Sequence, residues 1–322
     1  MYREPCCKMR IGTDTKNLEF NGVNRIEIVQ SVKDLGDKAT ITIPRNYKQL
    51  NGKSVLELIK SGDPITIWLG YDNKLEVEFS GYVQYIESGA PLVIHADDAF
   101  YHWKRNRWNK AWRSVSLEDL LKYIFPGLKV TCPGVDFGAY SIANKSSYAV
   151  LEDIKQRISF NTYLKNDEIT CRWPYEMGTA VIHHYTMYTP TVKTNNLKYS
   201  RSEDKKIRVR VTSSQRTGKK LSYETGAKEH ESAAIYDANF NTGMSMEAIK
   251  QYAESWYKKL CFDGYSGSIV GFGFPRTNAG DTLKISDPDE PAIESNYLIE
   301  SVTKIYDLRQ GFERINTISL KV

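Results

Sequence analysis

The sequence lacks the segments and motifs that identify membrane proteins, secreted proteins and the common enzyme classes. It has no run of about 18 apolar residues, the minimum for a membrane-spanning helix, and its first ten residues, MYREPCCKMR, contain no apolar signal core. G-x-S-x-G, H-E-x-x-H and phosphate-loop motifs are absent. We therefore expect a non-enzymatic protein kept in a cytoplasm, with no catalytic residue, no cofactor and no membrane span.

Cysteine is scarce and charge is nearly balanced. The chain has five cysteines and no C-x-x-C pair. The adjacent Cys6 and Cys7 would bridge only with strain, so we expect free thiols. The formal net charge is +5, from 44 basic and 39 acidic residues. This bias is too small to indicate a nucleic-acid-binding protein by itself.

What is present indicates a folded, β-rich chain of several domains. The 322 residues are 41% hydrophobic and 26% charged, which is ordinary globular usage. Aromatic residues make up 12%, with 21 tyrosines, and tyrosine favours half-buried strands. We predict a β-rich α+β fold in which two similar β-barrel domains flank a small α+β domain.

The first predicted barrel covers residues 1–100, where apolar residues alternate with polar ones. NRIEIVQ places Ile26 and Ile28 on one face, and ATITIP does the same with Ile41 and Ile43. Alternation with period two indicates strands that are buried on one face. The runs are short and separated by Gly, Asn and Pro, which is typical of barrels and sandwiches.

The α+β domain is predicted over 101–190, and the second barrel over 191–322. SLEDLLKYIFPG and SSYAVLEDIKQRISF have helical spacing, and hairpin-like segments follow them. The last region returns to alternating strands such as KIRVRVTSS and DTLKIS. Within it, SMEAIKQYAESWYKKL predicts an inserted helix near 246–261.

A short internal repeat links the two strand regions. Residues 61–67 read SGDPITI and residues 279–285 read AGDTLKI, and each run leads to a later strand, at Tyr82 in one region and Tyr297 in the other. Two barrels of one kind in one chain would produce such a match. The positions that mark the repeat are Gly62, Asp63, Gly280 and Asp281.

The glycines of GFGFPRTNAGDTLKIS raise the alternative of a phosphate-binding loop. A dinucleotide loop needs G-x-G-x-x-G between a strand and a helix. Here Arg276 stands where the third glycine should be, and a strand pattern follows. We therefore interpret Gly271 and Gly273 as bends within a barrel.

The segment FYHWKRNRWNKAWR, residues 100–113, interleaves tryptophans with cations. Stacking rings and cations line single-stranded nucleic-acid grooves. The same residues fit a connector whose tryptophans pack between domains while the cations stay in water. We expect a channel or interdomain contact at Trp103, Lys104, Arg105, Arg107, Trp108 and Trp112.

No metal site is expected. His183 and His184 are neighbours in a predicted strand and would point to opposite faces, and no Cys or carboxylate lies at ligand spacing in that strand. The segment DPDEP, residues 287–291, lacks the glycine of a calcium loop and is interpreted as a hairpin tip.

These features together resemble the tail hub, or baseplate hub, proteins of bacteriophages. The resemblance to the late control protein D family and the N-terminal part of type VI secretion VgrG proteins is one of layout and covers nearly the whole chain. It is carried by GDPITIWLGYDNKLEVEFSGYVQYIE for the first barrel and by NKSSYAVLEDIKQRISFNTYLKNDEITCRWP for the α+β domain. AESWYKKLCFDGYSGSIVGFGFPRTNAGDTLKIS resembles the closing barrel.

The resemblance implies a virion structural protein that forms a homotrimer in the tail baseplate and is assembled in the bacterial cytoplasm. The ring would join a sixfold tail tube to a threefold spike. Expected partners are a separate spike protein, the tail tube, other baseplate proteins and the tape-measure protein, and DNA would pass through the channel.

Three alternatives stay open at this point. One is the hub of a type VI-like secretion or injection system. Another is a nucleic-acid-binding module that uses residues 101–113. The third is a wall-degrading hydrolase, for which the sequence nominates no carboxylate pair.

Overall fold

The fold is seen in a computed structural model that describes residues 3–13, 16–45, 54–158, 160–165, 167–173, 181–189, 191–215, 217–228, 233–240, 243–291 and 294–321. The first strands are β1 (Pro5–Thr13), β2 (Lys16–Phe20), β3 (Arg25–Ser31), β4 (Lys38–Ile43), β5 (Pro64–Tyr71), β6 (Lys74–Glu87) and β7 (Leu92–Asp97). The middle strands are β8 (Trp108–Trp112), β9 (Lys129–Thr131), β10 (Tyr140–Lys145), β11 (Asn161–Lys165), β12 (Glu168–Arg172) and β13 (Ile182–Thr186).

The last strands are β14 (Val192–Ser200), β15 (Ile207–Ser214), β16 (Lys220–Gly226), β17 (Ala234–Phe240), β18 (Gly264–Phe272), β19 (Thr282–Ser286), β20 (Ser295–Asp307) and β21 (Gly311–Lys321). The helices are α1 (Val55–Leu58), α2 (Phe100–Trp103), α3 (Leu117–Ile124), α4 (Ser147–Ile158) and α5 (Met246–Leu260). Among the described residues, no helix is long and apolar enough to cross a bilayer.

The β-rich prediction is confirmed, and alternation explains the strands. Ile26 and Ile28 on β3 and Ile41 and Ile43 on β4 are completely buried, while residues between them are partly exposed. One face of these strands therefore forms a core, as period-two patterning requires.

Most strands of the first and last regions join one 13-stranded sheet. Its neighbour order is β14-β18-β21-β20-β3-β4-β7-β6-β5-β1-β2, with β19 on β20 and β13 on β19. No ladder closes on itself among the described strands, so the two predicted barrels are not confirmed. The reason lies in β3, which pairs with Ser301–Asp307 of β20 instead of closing its own region.

The sheet contains the same order of six strands twice. Unit 1 has the neighbour order β3-β4-β7-β6-β5-β1, and unit 2 has β14-β18-β21-β20-β19-β13. Strands matched in this way also follow one another in the same order along the chain. One pairing differs in direction, because β1 runs antiparallel to β5 whereas β13 runs parallel to β19.

The helices and the smaller sheets share a separate core, which we call the α+β body. Its buried side chains include Leu120 of α3, Leu151 of α4 and Ile249 of α5. The smaller sheets are β8–β10, β9–β12–β11 and β16–β15–β17. The helix predicted near 246–261 is α5, and the segment from β15 to α5 interrupts unit 2 while packing with the middle of the chain.

Serine residues cap the N-termini of the two helices that the sequence indicates most clearly. The Ser116 hydroxyl accepts the N–H of Asp119 at the start of α3. The Ser245 hydroxyl accepts the N–H of Ala248 at the start of α5. Each bond satisfies a backbone donor that has no partner within the helix.

Candidate functional site at the joint between the two units

The two Gly-Asp pairs of the sequence repeat form the same turn. Gly62 and Gly280 have φ of +95° and +90°, in the region that favours glycine. In unit 1 the glycine N–H donates to Val83 O at 2.8 Å, and Val83 N–H donates to the carbonyl of the following aspartate at 2.9 Å. In unit 2 Ile299 makes the same two bonds, at 2.8 and 2.9 Å.

The aspartates of these turns have one shared contact and one that differs. Asp63 Oδ2 accepts the N–H of Lys60 at 2.7 Å, and Asp281 Oδ2 accepts the N–H of Asn278 at 3.0 Å. Asp281 Oδ2 also lies 2.9 Å from His183 Nε2. This contact fastens β13 to the turn of unit 2.

The register of the repeat differs by one residue from the predicted alignment. Tyr82 lies opposite Pro64, two residues after the unit 1 glycine. The residue opposite Thr282, two residues after the unit 2 glycine, is Leu298. Tyr82 therefore corresponds to Leu298, and aligning it with Tyr297 was wrong, because the repeat follows backbone register and not the recurrence of tyrosine.

Side chains cross from each unit into the other at the β3–β20 pairing, which we call the joint. Tyr306 and Phe312 of unit 2 are buried in the core of unit 1. The Tyr71 hydroxyl of unit 1 donates to Phe312 O at 2.6 Å and accepts the N–H of Gly273 at 2.9 Å. Burial raises the pKa of Tyr71, so its hydroxyl keeps the proton that it donates.

A buried carboxylate with cations on two sides lies in the joint. Glu78 Oε2 is 2.8 Å from Lys304 Nζ, and Glu78 Oε1 is 2.6 Å from Arg314 Nη2. All three side chains are 1% exposed. Glu78 lies on β6 while its partners lie on β20 and β21, so the ion cluster connects unit 1 with unit 2.

A β-bulge directs Glu78 into the joint. β5 and β6 pair Ile67 with Phe79 and next pair Trp68 with Val77, which leaves Glu78 as the extra residue. A bulge interrupts alternation and re-aims a side chain. Glu78 and its neighbour Phe79 are consequently both buried, with Phe79 in the core of unit 1.

The two cations keep Glu78 ionised. Burial alone would raise the pKa of Glu78, but the charges of Lys304 and Arg314 outweigh it and hold the pKa below its ordinary value. Burial lowers the pKa of Lys304 to about 8, against the opposing effect of Glu78. No sequence motif marks these residues as a site. One signal was available, since Lys304 shares a period-two face with the apolar Val302.

The loop after β18 is fastened by the same ion cluster. Arg314 Nε donates to Gly273 O at 2.8 Å, and Arg314 Nη1 donates to Thr277 O at 3.1 Å. Arg276 Nε lies 3.1 Å from Glu78 Oε1. This loop therefore connects unit 2 to β6 of unit 1.

Close packing explains the glycines that resemble a phosphate loop. A Cβ atom at Gly271 would lie 2.6 Å from the Tyr185 hydroxyl, and one at Gly273 would lie 2.2 Å from the Phe312 ring. Larger residues cannot occupy either position without moving these rings. The segment leads into β19 and not into a helix, so it has no helix N-terminus for a phosphate.

The tryptophans of residues 100–113 pack against the α+β body. Trp103, Trp108 and Trp112 all contact its core. The Trp103 ring lies edge-on to Phe125 with centroids 4.8 Å apart, and Trp108 Nε1 donates to Ser147 Oγ at 2.8 Å. These rings are engaged inside the molecule, which weakens the interpretation of this segment as a base-stacking groove.

The cations of this segment contact residues that are near them in the sequence. Lys104 Nζ donates to Asp97 Oδ2 at 2.8 Å. The Arg105 guanidinium lies 3.4 Å from the centre of the Tyr101 ring, and Arg107 donates to backbone carbonyls of its own segment. A channel contact at these residues stays a prediction.

Comparisons with known proteins find similar structures but no similar sequence. No family model matches the sequence, and no curated protein matches it. A 43 kDa tail protein of prophage MuSo2 from Shewanella oneidensis is 13% identical, with 98% of both chains covered and a TM-score of 0.65. A tail protein from Neisseria meningitidis MC58 is 12% identical, with 98% of this chain and 96% of that chain covered and a TM-score of 0.66.

A type VI secretion component is also similar. The E. coli c3393 protein is 10% identical, with 92% of this chain and 73% of that chain covered and a TM-score of 0.55. At such identities the likeness concerns the fold, and it covers nearly the whole chain. The chain has the fold of phage tail proteins.

Proposed function

We propose that this chain is a structural tail hub of a phage or phage-like particle that assembles as a ring of three copies. The observation that carries the proposal is the six-strand unit repeated within one chain, on a fold shared with phage tail proteins. A threefold ring of such chains presents six similar units. It can therefore join a sixfold tail tube to a threefold spike, and closed rings are a common solution for homo-oligomers.

The joint suits this mechanical role. A symmetry adaptor needs its two units in a fixed relation, so that each presents an equivalent surface to the tube. The β3–β20 pairing and the buried charges of Glu78, Lys304 and Arg314 resist sliding of one unit past the other. The hub acts by holding its partners, and no reaction is assigned to it.

The partners follow from the position of a hub in a tail. We propose contacts with a separate spike protein, the tail tube, other baseplate proteins and the tape-measure protein, with DNA passing through the channel. The protein would be part of the virion tail and be assembled in the bacterial cytoplasm. We also propose that each open unit is completed into a barrel-like wall only within the ring.

Mass and symmetry measurements test the proposed ring. Native mass spectrometry of the concentrated protein is expected to give three times the 36.9 kDa chain mass. Negative-stain images should show rings with threefold symmetry. A protein that stays monomeric at high concentration and forms no ring would contradict the proposal.

A further inference from the structure

Among the strand edges of the large sheet that have no partner strand in the described residues, two matter for assembly, and they lie on β14 and β6. β14 pairs only with β18, so its other edge is open. On β6, pairing with β5 ends at Tyr82, and the following residues Tyr85–Glu87 pair only with β7. Unpaired edges tend to acquire a partner or to be protected.

Unit 2 shows what occupies the edge that is open on β6. Tyr85 faces His95 directly after an irregularity in the β6–β7 ladder, and Ser301 faces Thr317 directly after the matching irregularity in the β20–β21 ladder. Tyr85–Glu87 thus correspond to residues 301–303. In unit 2 that edge is covered by β3, with Ser301 opposite Ser31 and Thr303 opposite Val29.

The strand of unit 2 that corresponds to β3 is β14. Ile26 of β3 faces Ile41 of β4, and Asn195 of β14 faces Ile269 of β18. Ile41 and Ile269 in turn occupy matching positions opposite β7 and β21. The residues of β14 that match Val29, Gln30 and Ser31 are therefore Lys198, Tyr199 and Ser200.

We propose that β14 of one copy pairs antiparallel with Tyr85–Glu87 of the next copy, repeating between chains the joint that β3 and β20 make within one chain. The register follows from the internal joint, with Ser200 opposite Tyr85, Tyr199 opposite Ile86 and Lys198 opposite Glu87. This inference rests on the proposed ring of three copies and names the surfaces through which the copies meet.

The side chains at these positions suit the proposed pairing. Lys198 is exposed and Glu87 is 58% exposed, so the register places opposite charges across the two strands, which is a favourable pairing. Tyr199 is 43% exposed and Tyr85 is 47% exposed, and both would be covered. Glu87 is already oriented by His95, whose Nε2 lies 3.0 Å from Glu87 Oε1.

The pairing also explains how a ring could close. It joins unit 2 of one copy to unit 1 of the next, as the joint joins unit 1 to unit 2 within a chain. Such a contact uses two different surfaces, and it closes when the rotation between copies completes a circle. The open edges of β14 and β6 would both be used.

Charge reversal tests the register. Lys198→Glu or Glu87→Lys places like charges opposite each other, and we expect the concentration for half-assembly, measured by analytical ultracentrifugation, to rise about tenfold. The double variant Glu87→Lys/Lys198→Glu should recover assembly. Lys220→Glu, at an exposed lysine on β16, is the control and should assemble like the wild type. If neither single variant changes the concentration for half-assembly, the proposed pairing is wrong.

Cysteine cross-linking tests the contact directly. Ile86→Cys/Tyr199→Cys places thiols on residues that would be directly opposite, at about 4.5–5.5 Å between Cβ atoms, within reach of a bond between chains after mild oxidation. Ile86→Cys/Asn196→Cys moves one thiol about 10 Å along β14 and is the matched control. The wild type, with its own five cysteines, gives the background.

The outcomes separate the two proposals. Cross-linked chains from the first variant, above both controls, support the pairing. A threefold ring by mass with no such cross-link would overturn the pairing and leave the proposed hub intact. A monomer under all conditions would overturn the ring and the pairing with it.

Discussion

At the scale of single residues, one carboxylate controls the joint. Glu78 is the anion between the buried Lys304 and Arg314, and it also receives Arg276. Burying a charge is tolerable only when it is paired and hydrogen-bonded. The three charges are therefore tolerated in the joint only as a set, and loss of the anion leaves buried cations without compensation.

We expect Glu78→Gln to lower the free energy of unfolding by about 3–5 kcal/mol, because the amide keeps the shape but removes the charge. Denaturant unfolding followed by circular dichroism measures the change. Glu76→Gln is the matched control. Glu76 is 56% exposed and contacts Arg276 at the surface, so its effect should stay within about 0.5 kcal/mol. Equal effects of the two substitutions would contradict the importance of the buried cluster.

At the scale of elements, local patterns could be predicted and their distant partners could not. Alternation located β3 and β4, and serine caps located α3 and α5, because these signals lie within a few residues. The sequence does not predict the bulge at Glu78, since the bulge depends on how β6 pairs with β5. The glycines of the repeat predict its two turns. The recurrence of tyrosine predicts a register that is wrong by one residue, because tyrosine is common throughout this chain.

The two repeat turns make the role of their glycines measurable. Gly62→Ala and Gly280→Ala should each lower the free energy of unfolding by about 1–2 kcal/mol, because both positions have positive φ. Gly62→Ala should cost more, since its Cβ would lie 3.0 Å from the Tyr101 hydroxyl, whereas at Gly280 the nearest atom is 3.7 Å away.

Thermal unfolding of the variants measures these differences. Gly22→Ala is the control, because a Cβ there meets nothing within 4 Å and its φ lies outside the positive range. We expect little change at that position. A reversed order, with Gly280→Ala more harmful than Gly62→Ala, would show that the tyrosine contact does not limit the turn.

At the scale of the whole molecule, the units and the α+β body are connected by contacts between residues far apart in the chain. The sequence could not indicate the β3–β20 pairing, because any of several alternating strands has a suitable pattern for that edge. It also could not indicate that α5 packs on β15 and β16 and shares a core with α3 and α4, since an amphipathic helix specifies a buried face but not its partner. Both features depend on the assembled shape.

Asp98 links unit 1 to the α+β body and makes this connection sensitive to pH. Its Oδ2 accepts the N–H of Asp37 at 2.8 Å, and its Oδ1 accepts the N–H of Phe100 at 2.9 Å. Phe100 and Leu35 on either side are buried in the core of the body. Burial raises the pKa of Asp98 to about 6, with the nearby Asp37 and Asp97 charges adding to the effect, from an ordinary value of 3.8.

A raised pKa in the folded state means that folding favours the protonated carboxyl. The contribution of Asp98 to stability is therefore complete below pH 4 and is lost as pH rises through 6, a change of roughly 3 kcal/mol. Asp98→Asn cannot titrate. We expect the wild-type stability minus that of the variant, from chemical denaturation at successive pH values, to fall between pH 4 and 7, whereas a flat difference would show that Asp98 is as well solvated in the folded protein as in the unfolded chain.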